Sequence, residues 1–438
     1  MAVDASPGAG RVLIALAAGP LVAEPTWTRH DNLGETVCTC SGFDWQRGRQ
    51  SEFDVTNTGT ARVYFHDMTG VFDSEDFIGL QIMLQLFDPT SSTWEPVFRG
   101  HIDDIPSTPS PAAPSLTNVQ LDCVDIFDYL SGVKMVVGTM GDVLPAGMEG
   151  VVFYEDGPVD GRLDDLADDA GLAASMYVHF TGNVDVNETL YDPDDNILSA
   201  MRDAADAEFP SGVANVYVDR YGREVFHGRE AKFDPDGTSS GAEWNFVRWG
   251  AATRGDVTSG RAQIREFSYN RPRTRIVNTY LAWPEADENG VEFDQADIAA
   301  LVRDDAASIS AYGYRGQEAP SLIIKEHKTN GNTGADECGL FGDYYVANYA
   351  EPRKNVERIV FKALPPTDTR AADVWGIFAA DISDVIHLWI GEAGLSDAEF
   401  FIEGISGECR VGPPSHDFVT FTPNLSPAAY YTDNVFEP

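Results

Sequence analysis

The sequence feature that most constrains the fold is an alternating stretch at residues 47–73, RGRQSEFDVTNTGTARVYFHDMTGVFD. Its apolar side chains recur two residues apart, at Ala61, Val63 and Phe65. This period places them on one face of a β-strand and places Arg62 and His66 on the other, towards solvent, a lumen or a neighbouring subunit. Residues 67–70 have the composition of a tight turn. The stretch predicts a half-buried antiparallel hairpin and contains no catalytic group.

Other blocks with patterns of their own occur along the chain. They are residues 12–27 (VLIALAAGPLVAEPTW), 196–229 (a helical segment and then a hairpin whose tip is DRYGR), 308–315 (SISAYGYR), 345–356 (YVANYAEPRKNV) and 401–426, which ends in FVTFTPNLS. Together with the RGRxxExD and GxAxVxxxD patterns of residues 47–73, this order of blocks resembles the minor tail proteins of long-tailed (siphovirus-like) phages and archaeal tailed viruses. That family is similar to baseplate hubs.

The resemblance implies a structural virion protein and not an enzyme. In that family each chain supplies two tube-like β-barrels, so three chains form a ring of six similar barrels that matches a threefold tip to a sixfold tail tube. The implied partners are two further copies in a homotrimer, the distal tail or tail tube protein, the tape measure protein, and a tail fibre or spike. DNA would pass through the lumen without specific binding. The implied location is the distal tail tip of the virion, assembled in the host cytoplasm.

The charge of the chain needs a cause. Its 438 residues carry 70 acidic side chains against 30 basic ones, of which only six are Lys, and the formal net charge is -40. Acidic disordered chains lack aromatic residues, whereas this chain is 43% hydrophobic and 11% aromatic. We therefore predict a folded chain of about two to four domains.

Two causes of the acidity are compatible with a folded chain. A dense acidic surface keeps a protein hydrated in molar salt, where the Debye length is about 3 Å. An acidic lumen would instead repel the phosphates of DNA, but it would concentrate the acids on one face. The acids run along the whole chain. We therefore expect a haloarchaeal virus host, with an acidic actinobacterial phage as the alternative.

Two β regions flank an acidic segment in which helices dominate. The predicted strands are residues 12–17, 61–66, 79–87, 94–102 and 117–124 in the first region, and 264–269, 276–282, 356–363, 385–390, 399–405 and 418–422 in the second, where a helix near 334–349 intervenes. A hairpin at 216–227 ends the acidic segment. The fold class is mainly β (α+β), and the resemblance implies two tail-tube-like β-barrel domains with an α+β insertion domain: residues 1–135, 136–262 and 263–438.

The acidic segment has a structural explanation. Leu163, Leu166 and Ala170 recur at helical spacing among aspartates, which predicts an amphipathic helix with one solvated face. A calcium loop is the alternative use of such acids, at Asp192, Asp194, Asp195 and Asn196. That run lacks the glycine and the distal glutamate of a calcium loop. We assign no metal ligand, and we expect no cofactor.

Enzymatic signatures are weak. Residues 237–241, GTSSG, match a nucleophile elbow around Ser239, but they follow FDPD and not a buried strand. His101 with Asp103 and Asp104 is a candidate acid/base group. Because a segment rich in Pro and Ser follows it, we predict that these residues lie in a solvated loop. Two opposed carboxylates suffice for glycosidase chemistry, and a sequence with 70 acids cannot exclude them. No residue is assigned as catalytic.

Cysteines and the N-terminal segment are ambiguous. Cys38 and Cys40 lie two apart, and we expect buried small side chains there and not a zinc site. Residues 12–18 form an apolar run that suits a buried first strand, although a Sec signal peptide has similar letters. No apolar run is long enough to span a membrane. A signal peptide would favour the alternative function, a secreted halophilic carbohydrate-active enzyme or cell-surface binding module.

Overall fold

The computed structural model describes residues 10–16, 18–34, 38–51, 53–72, 77–88, 91–109, 117–137, 140–141, 150–210, 213–229, 243–247, 262–263, 266–286, 291–352, 355–362, 380–390, 395–410 and 418–427. These segments form a mainly β fold of the α+β class around a large, mostly antiparallel sheet, which confirms the predicted class. No helix among them has the length and apolarity needed to cross a membrane.

The first β region folds into a barrel. Its elements are Gly10–Ile14 (β1), Thr28–Arg29 (β2), Asn32–Gly34 (β3), Cys38–Gly48 (β4), Asn57–Asp67 (β5), Gln81–Asp88 (β6), Thr93–Asp104 (β7), Ser107–Pro109 (β8), Thr117–Val124 (β9) and Ile126–Gly132 (α1). Antiparallel pairing runs from β1 through β6, β7, β9 and β5 to β4. The short β2 extends one end of this path by pairing with β1, and β3 extends the other end by pairing with β4.

Strand β5 confirms the predicted faces. Its inward side chains are at most 2% exposed, at Ala61, Val63 and Phe65. The side chain of Arg62 on the opposite face is 60% exposed. The predicted turn is present, since the Asp67 carboxylate accepts backbone N–H groups from Thr69, Gly70 and Phe72, and Gly70 adopts φ +74°. The turn closes no hairpin, because β5 pairs with β4 before it and with β9 after it.

The middle unit contains short strands and two long helices. Its elements are Val152–Tyr154 (β10), Gly157–Pro158 (β11), Val159–Asp169 (α2), Tyr177–His179 (β12), Val184–Val186 (β13), Thr189–Tyr191 (β14), Ile197–Glu208 (α3), Asn215–Val218 (β15) and Glu224–His227 (β16). Helix α2 buries Leu163 and Leu166 and exposes Asp164, Asp165 and Asp168, so it is amphipathic as predicted. The predicted hairpin is the antiparallel pair β15 and β16.

The C-terminal region supplies the remaining elements. They are Glu243–Val247 (β17), Ala262–Gln263 (β18), Glu266–Asn270 (β19), the 3-10 turn Arg273–Arg275, Thr279–Pro284 (β20), Gln295–Ala300 (α4), Arg303–Asp304 (β21), Ala306–Tyr312 (α5), Gly316–Leu322 (β22), Ile324–His327 (β23), Gly334–Tyr349 (α6), Asn355–Lys362 (β24), Val385–Ile390 (β25), Leu395–Arg410 (β26) and Phe418–Pro427 (β27). Helix α6 has the predicted bounds. It packs on the middle unit, where Phe341 contacts Phe209 with ring centroids 4.6 Å apart.

A second path of paired strands is arranged like the first. Pairing runs from β17 through β25, β26, β27 and β24 to β19. Strand β18, which precedes β19, pairs with β17 at the other end of this path. In each barrel two consecutive short strands pair with opposite ends of the path. They are β2 and β3 in the first barrel and β18 and β19 in the second.

The two barrels are joined by one long strand. The first part of β26 pairs with β25, and Gly404 to Arg410 pair antiparallel with Gly48 to Gly42 of β4. One hydrophobic core extends across this seam. Trp45 lies over Gly407, where a Cβ atom would be only 2.2 Å from the indole ring. A glycine at this position lets the two barrels approach closely.

Candidate functional site

The RGR triplet of residues 47–49 lies where both barrels and the middle unit meet. Arg47 is 3% exposed, and its guanidinium donates to the carbonyl of Val97 in β7 at 3.0 Å and of Val218 in β15 at 3.1 Å. It also forms an ion pair of 2.7 Å with Asp381, just before β25. One buried side chain thus connects the first barrel, the middle hairpin and the second barrel.

Arg49 makes the second connection. Its Nε donates to Oε2 of Glu403 in β26 at 2.8 Å, both side chains are 1% exposed, and Ser426 of β27 donates to the other carboxylate oxygen. Gly48 between the two arginines has φ +79°, and a Cβ atom there would lie 2.5 Å from the Glu403 carbonyl oxygen. Glycine adopts this conformation without strain and leaves room for the neighbouring backbone.

The DRYGR tip of the middle hairpin attaches to the same place. Asp219 accepts the N–H groups of Tyr221 and Arg223 at 2.8 and 2.9 Å, and it forms an ion pair with the Arg223 guanidinium. The N–H of Arg220 donates to Asp381 at 2.9 Å, so this carboxylate receives both the RGR triplet and the hairpin tip. Both arginine-containing motifs are therefore architectural.

A continuous polar face crosses the seam on strands β27, β26, β4, β5 and β9. The strand registers place its side chains in rows: Thr422, Ser406, Gln46 and Thr60; then Thr420, Glu408, Asp44, Arg62 and Asp122; then Arg410, Tyr64 and Gln120. All of these side chains are at least partly exposed. The alternate residues of the same strands point into the cores.

A cleft of about 310 Å³ follows the seam on this face. Tyr64 donates to the Asp44 carboxylate at 2.8 Å, and partial burial together with this carboxylate raises the pKa of Tyr64. The phenol is therefore protonated at neutral pH. The described lining side chains offer hydroxyl, amide and carboxylate groups with Arg62 as the cation, and they include no nucleophile paired with a base.

The acid/base candidate lies elsewhere, and the prediction of a solvated loop was wrong for its histidine. Strand β7 continues through Asp104 because β9 pairs with His101 and Ile102. His101 is 8% exposed, with Nε2 3.5 Å from the Asp128 carboxylate. Burial lowers the pKa of His101, so the ring is neutral at pH 7. Asp103 and Asp104 are exposed.

The cysteine and aspartate candidates are also placed. Cys38 and Cys40 are buried and free, as expected, and burial raises the pKa of each thiol to about 12. Asp195 accepts the N–H of Asp192, and Asn196 caps α3, so this run forms a turn before a helix. Within the described segments no group of three or more His, Cys, Asp or Glu side chains is arranged to hold a metal. Ser239 lies outside the described residues.

The partners of the buried arginines are not predictable from the local sequence. Asp381 and Glu403 lie 334 and 354 residues from Arg47 and Arg49 along the chain, so no local pattern connects them. A signal for the burial itself was present. Arg47 has the same parity as Trp45 in β4, and an inward arginine requires a buried acceptor.

Neither a protein-family model nor a curated protein matches the chain. Among solved structures, the tail protein from Neisseria meningitidis MC58 is similar, with a TM-score of 0.57 at 11% identity over 97% of this chain and 98% of that one. Prophage tail protein gp18 from Listeria monocytogenes EGD-e has a TM-score of 0.45 at 9% identity over 94% of both chains.

A third similar structure is the E. coli c3393 protein, a type VI secretion system component described as similar to T4 bacteriophage tail proteins gp27 and gp5. Its TM-score is 0.46 at 7% identity over 93% of this chain and 78% of that one. Of these three structures, the Neisseria tail protein has the TM-score above 0.5. The chain has the fold of that tail protein over nearly its whole length.

Proposed function

We propose that this chain is a structural hub at the distal end of a viral tail. Three copies would form a ring of six barrels around a channel, joining the tail tube or distal tail protein to a fibre or spike. The tape measure protein and then DNA would leave through this channel. The hub would be part of the virion and would be assembled in the host cytoplasm.

The observation that carries the proposal is the continuous polar face across two joined barrels. Strands at the edge of a sheet tend to pair with another strand. Here β4 of the first barrel pairs with β26 of the second, so the two barrels share one sheet. Three such pairs give a sixfold arrangement from a threefold assembly. The shared sheet, polar along its length, would line the channel, while α2 and the other acidic surfaces of the middle unit would face outwards.

Two further parts belong to the proposal. We infer a structural role without enzymatic activity, in keeping with the architectural use of the motif arginines. We also infer a haloarchaeal virus as the source, in keeping with a net charge of -40 and only six lysines. We also propose a division into residues 1–135, 136–262 and 263–438, in which β17 of the middle segment contributes a strand to the second barrel.

The mass and shape of the purified protein in molar salt test the hub. Light scattering should give three times the 47.7 kDa of one chain, and negative-stain images should show rings with a central channel. A protein that is monomeric at every accessible concentration, and that forms no ring when a distal tail or tube protein is added, would rule the hub out.

A further inference from the structure

We infer that the polar face is arranged so that each cation on it is neutralised by a carboxylate of the same face, which leaves a passing polyanion no free cation to bind. The polar face is the set of outward side chains of β27, β26, β4, β5 and β9. The inference rests on the proposed channel. It explains how DNA would pass along the channel wall without binding to it.

These strands contain few basic residues, of which one is buried and the others are exposed on the polar face. The five strands contain three arginines and no lysine, at Arg47, Arg62 and Arg410. Arg47 points inwards and is buried against Asp381. Arg62 and Arg410 lie on the polar face, where their side chains are 60% and 70% exposed.

Each outward arginine has a carboxylate beside it. Arg62 of β5 lies directly opposite Asp122 of β9 in the register, with Nε 3.7 Å from the carboxylate. Arg410 and Glu408 lie two apart on β26, with Nε 2.5 Å from the carboxylate. Asp44 of β4 lies opposite Arg62 on its other side in the register and accepts a hydrogen bond from Tyr64 at 2.8 Å, so Arg62 lies between two carboxylates.

The other outward positions add no cation. His66 contacts the Asn118 side chain at 2.9 Å. Of the three rows, the one from Thr422 to Thr60 contains only hydroxyl and amide side chains, and the other two contain the charged ones. Per copy these two rows contain two arginines and three carboxylates, a net charge of -1.

Stability does not explain these pairs, because exposed ion pairs contribute only about 0–1 kcal/mol. Their placement does affect binding of a polyanion. DNA binds lysine and arginine by releasing counterions from its phosphates, and an arginine that already contacts a carboxylate gains little from that exchange. Removal of the carboxylates should turn the same face into a DNA-binding surface without any added positive group.

The test neutralises the carboxylates and keeps the arginines. The variant Asp122→Asn/Glu408→Gln removes the ion-pair partner of each outward arginine and keeps Asp44, which lies opposite Arg62 in β4. The matched control, Glu188→Gln/Asp194→Asn, removes the same charge from exposed positions of the middle unit. Adding Arg62→Gln/Arg410→Gln to the first variant removes the freed cations again. Binding of a labelled DNA duplex is measured by fluorescence anisotropy in about 0.15 M salt, with trimethylamine oxide as an excluded osmolyte to maintain the fold.

The carboxylate variant should bind the duplex at least about tenfold more tightly than wild type. A plot of the logarithm of its binding constant against the logarithm of the salt concentration should have a slope no steeper than about -5, because three copies supply six arginines. The control and the quadruple variant should match wild type. Equal binding by wild type and the carboxylate variant, or equal gain in the control, would overturn the inference. Because the face is tested for binding whether or not rings form, a failure here is distinct from an absence of rings.

Discussion

At the scale of single residues, buried arginines decide how the parts of this chain sit together. Arg47 and Arg49 connect the barrels, and Arg229 lies between Glu208 and Glu337, joining α3 to α6. An isolated buried charge is costly, so each guanidinium requires its carboxylate from a distant segment. The partners specify which segments meet, and this restricts the chain to one arrangement of its units.

The Arg49–Glu403 pair gives the sharpest test at this scale. Glu403→Gln leaves a buried guanidinium without its counter-charge and should lower the free energy of unfolding by about 3–5 kcal/mol, whereas Arg49→Met/Glu403→Leu should recover much of that loss. Urea denaturation at constant salt measures both. A double variant no more stable than Glu403→Gln would contradict the role of the uncompensated charge.

Asp125 gives a dependence on pH. Burial raises the pKa of this carboxyl, which caps α1, to about 7, compared with about 3.9 in an unfolded chain. Between these values the folded protein holds a proton that the unfolded chain releases, so this group makes stability fall as pH rises from about 4 to 7. Asp125→Asn should remove that contribution. A stability difference between wild type and variant that stays constant over this range would refute it.

At the scale of elements, several strands were predictable, but the full length of β4 and the pairing of the strands were not. The alternation in β5 and the bounds of β9, β25 and α6 follow from local periodicity, which is a property of neighbouring residues. The turn after β5 misled the prediction of a hairpin, because long-range pairing with β9 decides where the strand belongs. The seam between β4 and β26 depends on contacts between residues more than 350 positions apart, which no local pattern encodes.

Strand β5 carries a prediction for its two faces. Phe65→Ala removes a phenyl group that is 1% exposed and leaves a cavity around which a packed β core cannot collapse. It should therefore lower the free energy of unfolding by about 3–5 kcal/mol and prevent assembly of the oligomeric ring. Thr60→Ala on the outward face of the same strand should change stability by less than about 0.5 kcal/mol. Equal effects of the two substitutions, measured by urea denaturation, would contradict the assignment of faces.

At the scale of the whole molecule, two barrel-like halves share one sheet, and a strongly acidic middle unit packs beside them. The seam between β4 and β26 makes the pair of barrels one continuous structure. The net charge of -40 opposes compactness wherever it is not screened. We therefore expect the stability of the fold to depend on the salt concentration.

If the acidity is an adaptation to salt, the melting temperature should be high in molar potassium chloride. It should fall steeply on dialysis to about 0.1 M, where the Debye length grows from about 3 to 10 Å and repulsion between surface acids is no longer screened. Circular dichroism over a salt series measures this. A melting temperature unchanged across the series would contradict the halophilic origin.

The central claim is that the polar face shared by the two barrels lines a channel. A three-dimensional electron-microscopy map of the assembly in molar salt tests it most directly. We expect threefold symmetry, six barrels around an axial channel, and β4, β5, β9, β26 and β27 turned towards the axis. A ring in which these strands face outwards, or a particle with no channel, would contradict it.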